Sequence, residues 1–374
     1  MYLDRNYRPR RRKSPWRFWP LIVLAFLAIH FYNRPPEWLN SRPLQPTPTP
    51  TRNAISWLAE AERYEKAGDL PKAISTYQVA ANLEPDNPDP LTAQSRLYVI
   101  LDEIPLAVQL GRRAVEIAPE NPDALNALAR ALDWQGEFDD AADYALEAYL
   151  IEPTNADTLA ILGEIYADVG SWARAQEYLD QALAADPNNV LAYRNQAWLY
   201  ERQGDYTLAI AAYDKAIALA PNRADLYIGK GMQYQVLFDW EEAIAAYTQA
   251  TEVNPAVAFT WDALGWGLYL SGDHLQALRV LRRAVEADPS YGSAQAHLGI
   301  VYYARRNYED AVIALETGVT LLGDKSRVEY YYQLGLAHIY KQPSECEKAI
   351  PWLNKALELD PASSPALEGL SICR

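Results

Sequence analysis

Along this chain, apolar residues recur at the three- and four-residue spacing of one helix face, and that pattern itself recurs every 34 residues. Prolines keep the period: Pro85, Pro119, Pro153, Pro187, Pro221, Pro255 and Pro289 are equally spaced, and Pro361 follows after a beat held by Gly323. When each repeat is numbered so that its proline is position 32, the first begins at Ala54. Position 8 is then always small, from Ala61 through Gly163 to Gly335, and position 20 is always alanine, from Ala73 to Ala349. Position 27 is alanine in eight of nine copies, with Gly318 the exception. Positions 4, 7 and 11 are large, as in Leu159, Leu162 and Tyr166. Positions 4, 7, 8 and 11 share one face of a first helix, and positions 20, 24 and 27 share one face of a second. Small residues at the crossing let the two axes approach. Gly68, Gly136, Gly170, Gly204 and Gly272 fall between the helices, where a left-handed turn residue is wanted, and the proline ends the second helix. The pattern predicts an all-α stack of hairpins with a long concave surface suited to holding other molecules.

Segments such as Ala209-Ile210-Ala211-Ala212-Tyr213-Asp214-Lys215-Ala216-Ile217 and Leu334-Gly335-Leu336 resemble the tetratricopeptide repeat. The resemblance covers nine repeats, residues 54–363, with a capping helix over 364–374. It implies antiparallel helix pairs stacked into a right-handed superhelical solenoid with a peptide-binding inner groove. Two connections depart from the period by two residues each: the join from Gly323 to Val328, and the turn from Lys341 to Glu347 inside the ninth repeat.

The first 53 residues have another character. They carry ten Lys or Arg against Asp4 and Glu37, about +8, whereas the chain as a whole is −15, so the repeats carry −23. Seven of these basic residues lie between Arg5 and Arg17, ahead of an apolar run from Phe18 to Tyr32 flanked by Trp16, Trp19 and Trp38. This predicts a basic cytoplasmic tail over 1–17 and a single transmembrane signal-anchor helix over 18–38, with the repeats outside the cytoplasm. The apolar run is short against the roughly 20 residues a bilayer core asks for. A cleaved signal peptide, with the array secreted, is the rival reading, but no small-x-small site follows Ala28. Alternating Pro and Thr from Pro43 to Thr51 read as an extended linker within 39–53, about 30 Å long at ~3.1 Å per residue.

Catalytic chemistry is absent from the pattern. The four histidines (His30, His274, His297, His338) have no metal spacing, and no glycine-rich phosphate loop follows a strand. The reading is therefore not an enzyme, with no cofactor, no metal and no nucleic acid. His338 takes the place of Tyr64, Tyr98 and Tyr302 and reads as a core residue. Cys346, in the lengthened turn, and Cys373, at the end of the capping helix, read first as two unrelated thiols; a disulfide between them, stapling the end of the stack, is the alternative.

In the resembled family, positions 2, 5, 9, 12 and 13 line the groove. Carried over, these give partner-binding candidates Arg130, Trp134, Arg194, Trp198 and Arg202 in a charged middle section, and Trp266, Tyr269, Tyr303, Tyr332 and Tyr340 in an aromatic later section. A family subclass grips acidic chaperone tails through a Lys/Asn/Arg clamp. Here Asn195 matches one clamp position, but Ala160, Glu164, Asp225 and Gly229 occupy others, so that ligand is not expected. The function expected is a non-catalytic, membrane-anchored scaffold for protein or peptide partners, with self-association open to it. The alternative is a regulatory or substrate-delivery subunit of an envelope enzyme or secretion complex.

Overall fold

The computed structural model describes residues 16, 19–33 and 52–374. The basic tail apart from Trp16, both ends of the expected anchor and nearly all of the Pro/Thr linker lie outside the described residues. Two units separate at Arg52. In the first, Trp19–Asn33 is a helix of 15 residues, all of them exposed. Among the described residues no helix is long and apolar enough to cross a membrane.

The second unit, Asn53–Arg374, is helical throughout its regular structure. Repeat 1 pairs Ala54–Lys66 with Leu70–Leu83, and repeat 2 pairs Asp89–Ile100 with Ile104–Ile117. Repeats 3, 4 and 5 are Pro122–Gln135 with Phe138–Ile151, Ala156–Asp168 with Trp172–Ala185, and Val190–Gln203 with Tyr206–Leu219. Repeats 6 and 7 are Ala224–Val236 with Trp240–Val253, and Ala258–Leu270 with His274–Ala287. Gly292–Ala304 with Tyr308–Leu322 forms repeat 8, Val328–Tyr340 with Cys346–Leu359 forms repeat 9, and Ser364–Ile372 closes the stack.

The packing explains the small position 8. A Cβ on Gly163 would lie 2.6 Å from Leu179, and Gly265, Gly299 and Gly335 stand in the same relation to Leu281, Leu315 and Leu353. Each leucine is position 24 of the same repeat and is fully buried. Where position 24 shrinks to Ala145, position 8 grows to Ala129. In these five hairpins volume is traded across the pair at interior density, whereas repeats 1 and 5 set Ala61 and Ala197 against Tyr77 and Tyr213. Gly318 breaks the alanine rule at position 27 because it lies against the neighbouring first helix: a Cβ there would be 2.6 Å from the Ala296 backbone nitrogen.

The turn between the paired helices is left-handed at Gly68, Gly136, Gly170, Gly204 and Gly272, as their place in the repeat requires. Asp102, Phe238 and Arg306 occupy the same position in repeats 2, 6 and 8 and take the same conformation, each with φ near 60°. The lengthened join before repeat 9 forms a short 3-10 turn over Gly323–Lys325, pinned by Ser326 Oγ donating to the Val319 carbonyl at 3.2 Å. In the lengthened turn inside repeat 9, Glu345 accepts from Lys341 at 2.7 Å and Lys348 at 3.1 Å and meets His338 Nδ1 at 3.0 Å. His338 itself is buried in the core.

Cys346 and Cys373 are bonded, tying the start of the last hairpin's second helix to the end of the capping helix across 27 residues. Closing a loop of that length removes about 3–4 kcal/mol of denatured-chain entropy. Cys373→Ser is expected to lower the stability of the last hairpin by about 3 kcal/mol. Amide exchange across 364–372 checks this, and unchanged protection in the variant would contradict it.

Candidate binding groove

Successive helix pairs coil far enough for distant repeats to meet. Asn222, in the join after repeat 5, donates from Nδ2 to the Lys66 carbonyl at 3.2 Å, at the turn of repeat 1. Gly68 packs so closely there that a Cβ would lie 2.5 Å from the Asn222 carbonyl oxygen. This contact forms one side of an open cavity of about 880 Å³. Its wall is built mainly from the first helices of repeats 1 to 5, through residues such as Leu58, Glu62, Asp89, Arg96, Asn126 and Arg130, and it is capped by Leu219 to Arg223. Most of these wall residues occupy positions 2, 5, 6 and 9, which identifies the inner face of the coil.

The first five candidates gather around two carboxylates. Glu164 accepts from Arg130 Nε at 3.1 Å, from Trp134 Nε1 at 2.9 Å and from Arg194 Nη1. Asp168 accepts from Trp198 Nε1 at 3.0 Å and pairs with Arg202 Nε at 3.8 Å. The two indoles stack with centroids 6.3 Å apart, and the Arg194 guanidinium lies 5.2 and 5.5 Å from their centres. Arg130 and Arg194 are buried and committed to Glu164, so they fix the groove's shape; Trp134, at 38% exposure, presents its ring. Burial alone would push the Glu164 carboxyl upward. Arg194 and Arg130, with the hydrogen bonds from Trp134 and Arg194, outweigh burial and hold it at about 2. Asn195 is fully buried and donates to the Ala160 carbonyl at 2.9 Å, which makes the one matching clamp residue structural here.

Asp133 is the misfit of this section. It is buried, and neither carboxylate oxygen has a partner. Burial first, then the charges on Glu164 and Asp168, push its carboxyl up to about 9. The folded protein therefore retains a proton that the unfolded chain releases above about pH 4, and Asp133 costs stability increasingly as pH rises from there toward 9. Asp133→Asn is expected to stabilise the protein at pH 8 by about 1–3 kcal/mol and much less at pH 5, read from urea midpoints. A destabilised variant at pH 8 would refute the assignment.

The later five candidates form a separate aromatic section. Trp266 stacks on Tyr269 at 5.0 Å and on the His297 ring at 4.1 Å. Tyr303 meets Tyr308, and Tyr308 meets Tyr340, at 5.7 and 5.5 Å. Burial, then Tyr340, Tyr308 and Tyr332, push the Tyr303 phenol up to about 12. Trp266, Tyr269, Tyr303 and Tyr332 are half-buried against the core, and Tyr340 is exposed. Behind them runs a relay that sequence reasoning missed. Asp262 Oδ1 meets His297 Nδ1 at 2.8 Å, and His297 Nε2 meets the Tyr330 hydroxyl at 3.1 Å. All three residues are buried, and they bridge the first helices of repeats 7, 8 and 9. The residues of repeats 1 and 2 on the cavity wall were also passed over. The available signal was Asp89 of repeat 2, which shares position 2 with Asp123 of repeat 3 and Asp157 of repeat 4 at intervals of 34 residues.

No curated protein matches the chain. Four stretches match tetratricopeptide-repeat families: residues 123–151, 162–224, 268–329 and 328–363. Among solved structures, the APC/C hetero-tetramer Cut9–Hcn1 is similar at 20% identity and a TM-score of 0.59, over 85% of this chain. The chain spans 58% of that relative's length. The human IFIT1 dimer with PPP-AAAA is similar at 18% identity and a TM-score of 0.56, over 85% of this chain and 82% of that one. YrrB, described as a TPR protein with an unusual peptide-binding site, shares 25% identity over 52% of this chain and 97% of its own, with a TM-score of 0.40. The first two likenesses are of fold. With the repeat pattern, the stacked hairpins and family matches that together span half of the sequence, the chain belongs to the tetratricopeptide-repeat family.

Proposed function

We propose that this chain is a non-catalytic scaffold, anchored in a membrane by its N-terminal segment, that holds a polypeptide partner along the inner face of its coil outside the cytoplasm. The observation that carries the reading is the inner face itself. It combines an open cavity with indole and phenol rings at Trp134, Trp198, Trp266 and Tyr340, the residue types that most often anchor interfaces. The anchor is supported by the apolar helix Trp19–Asn33, none of whose residues is buried, behind a basic tail. At 1.5 Å per residue that helix covers about 22 Å, short of a ~30 Å hydrocarbon core, so a span draws on the residues flanking it.

Two measurements on the full chain in intact cells test this. Protease added outside should digest the repeats and leave the tail protected; resistance of the repeats until lysis overturns the topology. Photo-crosslinking residues at Trp134 and Tyr340 on the inner face should capture a polypeptide, whereas one at Leu150, 79% exposed outside the groove, should not. Capture from Leu150 alone would move the binding surface off the groove.

A further inference from the structure

We infer that the turn of repeat 6 is a docking surface for a partner polypeptide whose apolar side chains are flanked by lysine or arginine; this rests on reading the inner face as a polypeptide groove. Val236, Leu237 and Phe238 follow one another in that turn at 46%, 45% and 76% exposure. No other copy is apolar at all three positions: repeat 5 has Arg202-Gln203-Gly204 and repeat 7 has Leu270-Ser271-Gly272. Met232, 47% exposed, precedes Val236 by one helical turn on the same face. Leu270, 38% exposed, holds the place of Val236 in repeat 7. The apolar strip therefore starts on the inner face and ends on its rim. Three consecutive exposed apolar residues are a liability in water unless a partner covers them.

The backbone supplies a second, independent observation. Phe238 stands at φ 60°, in the place where Gly68, Gly136, Gly170, Gly204 and Gly272 make the left-handed turn. A bulky side chain is disfavoured in that conformation. Packing within the chain does not compensate: the ring meets Trp240 edge-on at 6.1 Å and is otherwise largely in solvent. The turn thus holds an aromatic ring outward, under strain, where glycine would serve the hairpin better. Backbone strain of this kind collects where a side chain is presented to a ligand.

Charge selects the occupant. Asp205, Asp239, Glu241 and Glu242 border the strip, all exposed and without an ion pair or side-chain hydrogen bond among the described residues. The basic residues nearby are engaged, Arg202 with Asp168 at 3.8 Å and Lys230 with Asp214 at 2.7 Å. The repeats as a whole carry −23. An acidic partner, or the same face of a second copy, would be repelled. Lysine or arginine on either side of an apolar pair complements both the acids and the strip.

The test uses the full chain in detergent micelles and three acetylated, amidated hexapeptides: KKLFKK, EELFEE and KKSSKK. KKLFKK should bind, and each of the others at least tenfold more weakly. Phe238→Gly should weaken KKLFKK at least tenfold while unfolding at no lower temperature, because glycine makes this turn in five other copies. Leu237→Ser should weaken it at least fivefold. E241Q/E242Q should weaken it at least threefold, and D139N/D140N, the same two positions in repeat 3, should leave it within twofold. Binding that is unchanged in Phe238→Gly, equal for KKSSKK or EELFEE, or absent for all three peptides overturns the inference. Self-association of the wild type that Phe238→Gly abolishes, read by sedimentation without peptide, seats a second copy there and overturns it as well. The groove stands or falls separately, on capture from Trp134 and Tyr340.

Discussion

Glu164→Gln is expected to destabilise the protein by about 3–5 kcal/mol at pH 7, because it leaves Arg130 and Arg194 buried without a counter-charge. Glutamine keeps the shape of the side chain and one acceptor, so the loss isolates the charge. The pH dependence gives an independent reading. The folded carboxyl sits at about 2 against an ordinary value of 4.5, so its contribution is complete above about pH 4.5 and is lost as pH falls toward 2. A separation of that size corresponds to about 3 kcal/mol. The stability curves of wild type and variant should therefore run apart at neutral pH and converge in acid. Urea unfolding at pH 7 and pH 3 measures both ends, and a difference below about 1 kcal/mol at pH 7 would show that the two arginines find other partners. Trp134 and Trp198 should also separate in the variant, since Glu164 anchors one indole directly and holds the guanidinium beside both.

Tyr247→Ala is the second large effect, about 3–5 kcal/mol by comparison with other aromatic truncations in cores. The ring is 2% exposed and lies between two glycines: a Cβ on Gly231 or Gly267 would come within 2.6 or 2.8 Å of it. It therefore sets the separation between the first helices of repeats 6 and 7, and its hydroxyl donates to Gln235 Oε1 at 3.0 Å. Tyr247→Phe should cost only about 1 kcal/mol, the worth of that hydrogen bond. Gly231→Ala should be destabilising as well, because Gly267 on the far side blocks the ring's retreat. Thermal unfolding ranks the three variants, and amide exchange across 224–270 should show the loss concentrated there. A Tyr247→Ala protein as stable as Tyr247→Phe would mean that the helices collapse into the vacated space.

The nine hairpins were legible because the rule that makes them is steric and local. A small position 8 facing a large position 24 recurs within 16 residues in seven of the nine copies. The turns were half legible. Glycine announces a left-handed residue, but Asp102, Phe238 and Arg306 adopt the same φ without announcing it. The hairpin dictates the conformation there, against a penalty of roughly 1–2 kcal/mol. Phe238 bears this cost while 76% exposed. Of the ten groove candidates only Arg130 lines the cavity, and which side chains stay available could not be read from position at all. Arg130 and Arg194 read as ligand contacts from their positions, and only cross-repeat distances reveal that Glu164 absorbs both. The coiling that forms the cavity was illegible for a related reason. It accumulates from small rotations between neighbouring repeats, and no single residue encodes the sum.

The contact between Lys66 and Asn222 has an effect on how the array comes apart. Stacked repeats ordinarily communicate only with those beside them, so an end can fray while the middle stands. Here the first hairpin also leans on the sixth one's threshold, and Asp102 reaches Lys325, near the ninth, at 3.7 Å. Peeling either terminus strips support from a rung several places away. The rod unravels less like a zipper than like a wound spring whose loops catch on one another.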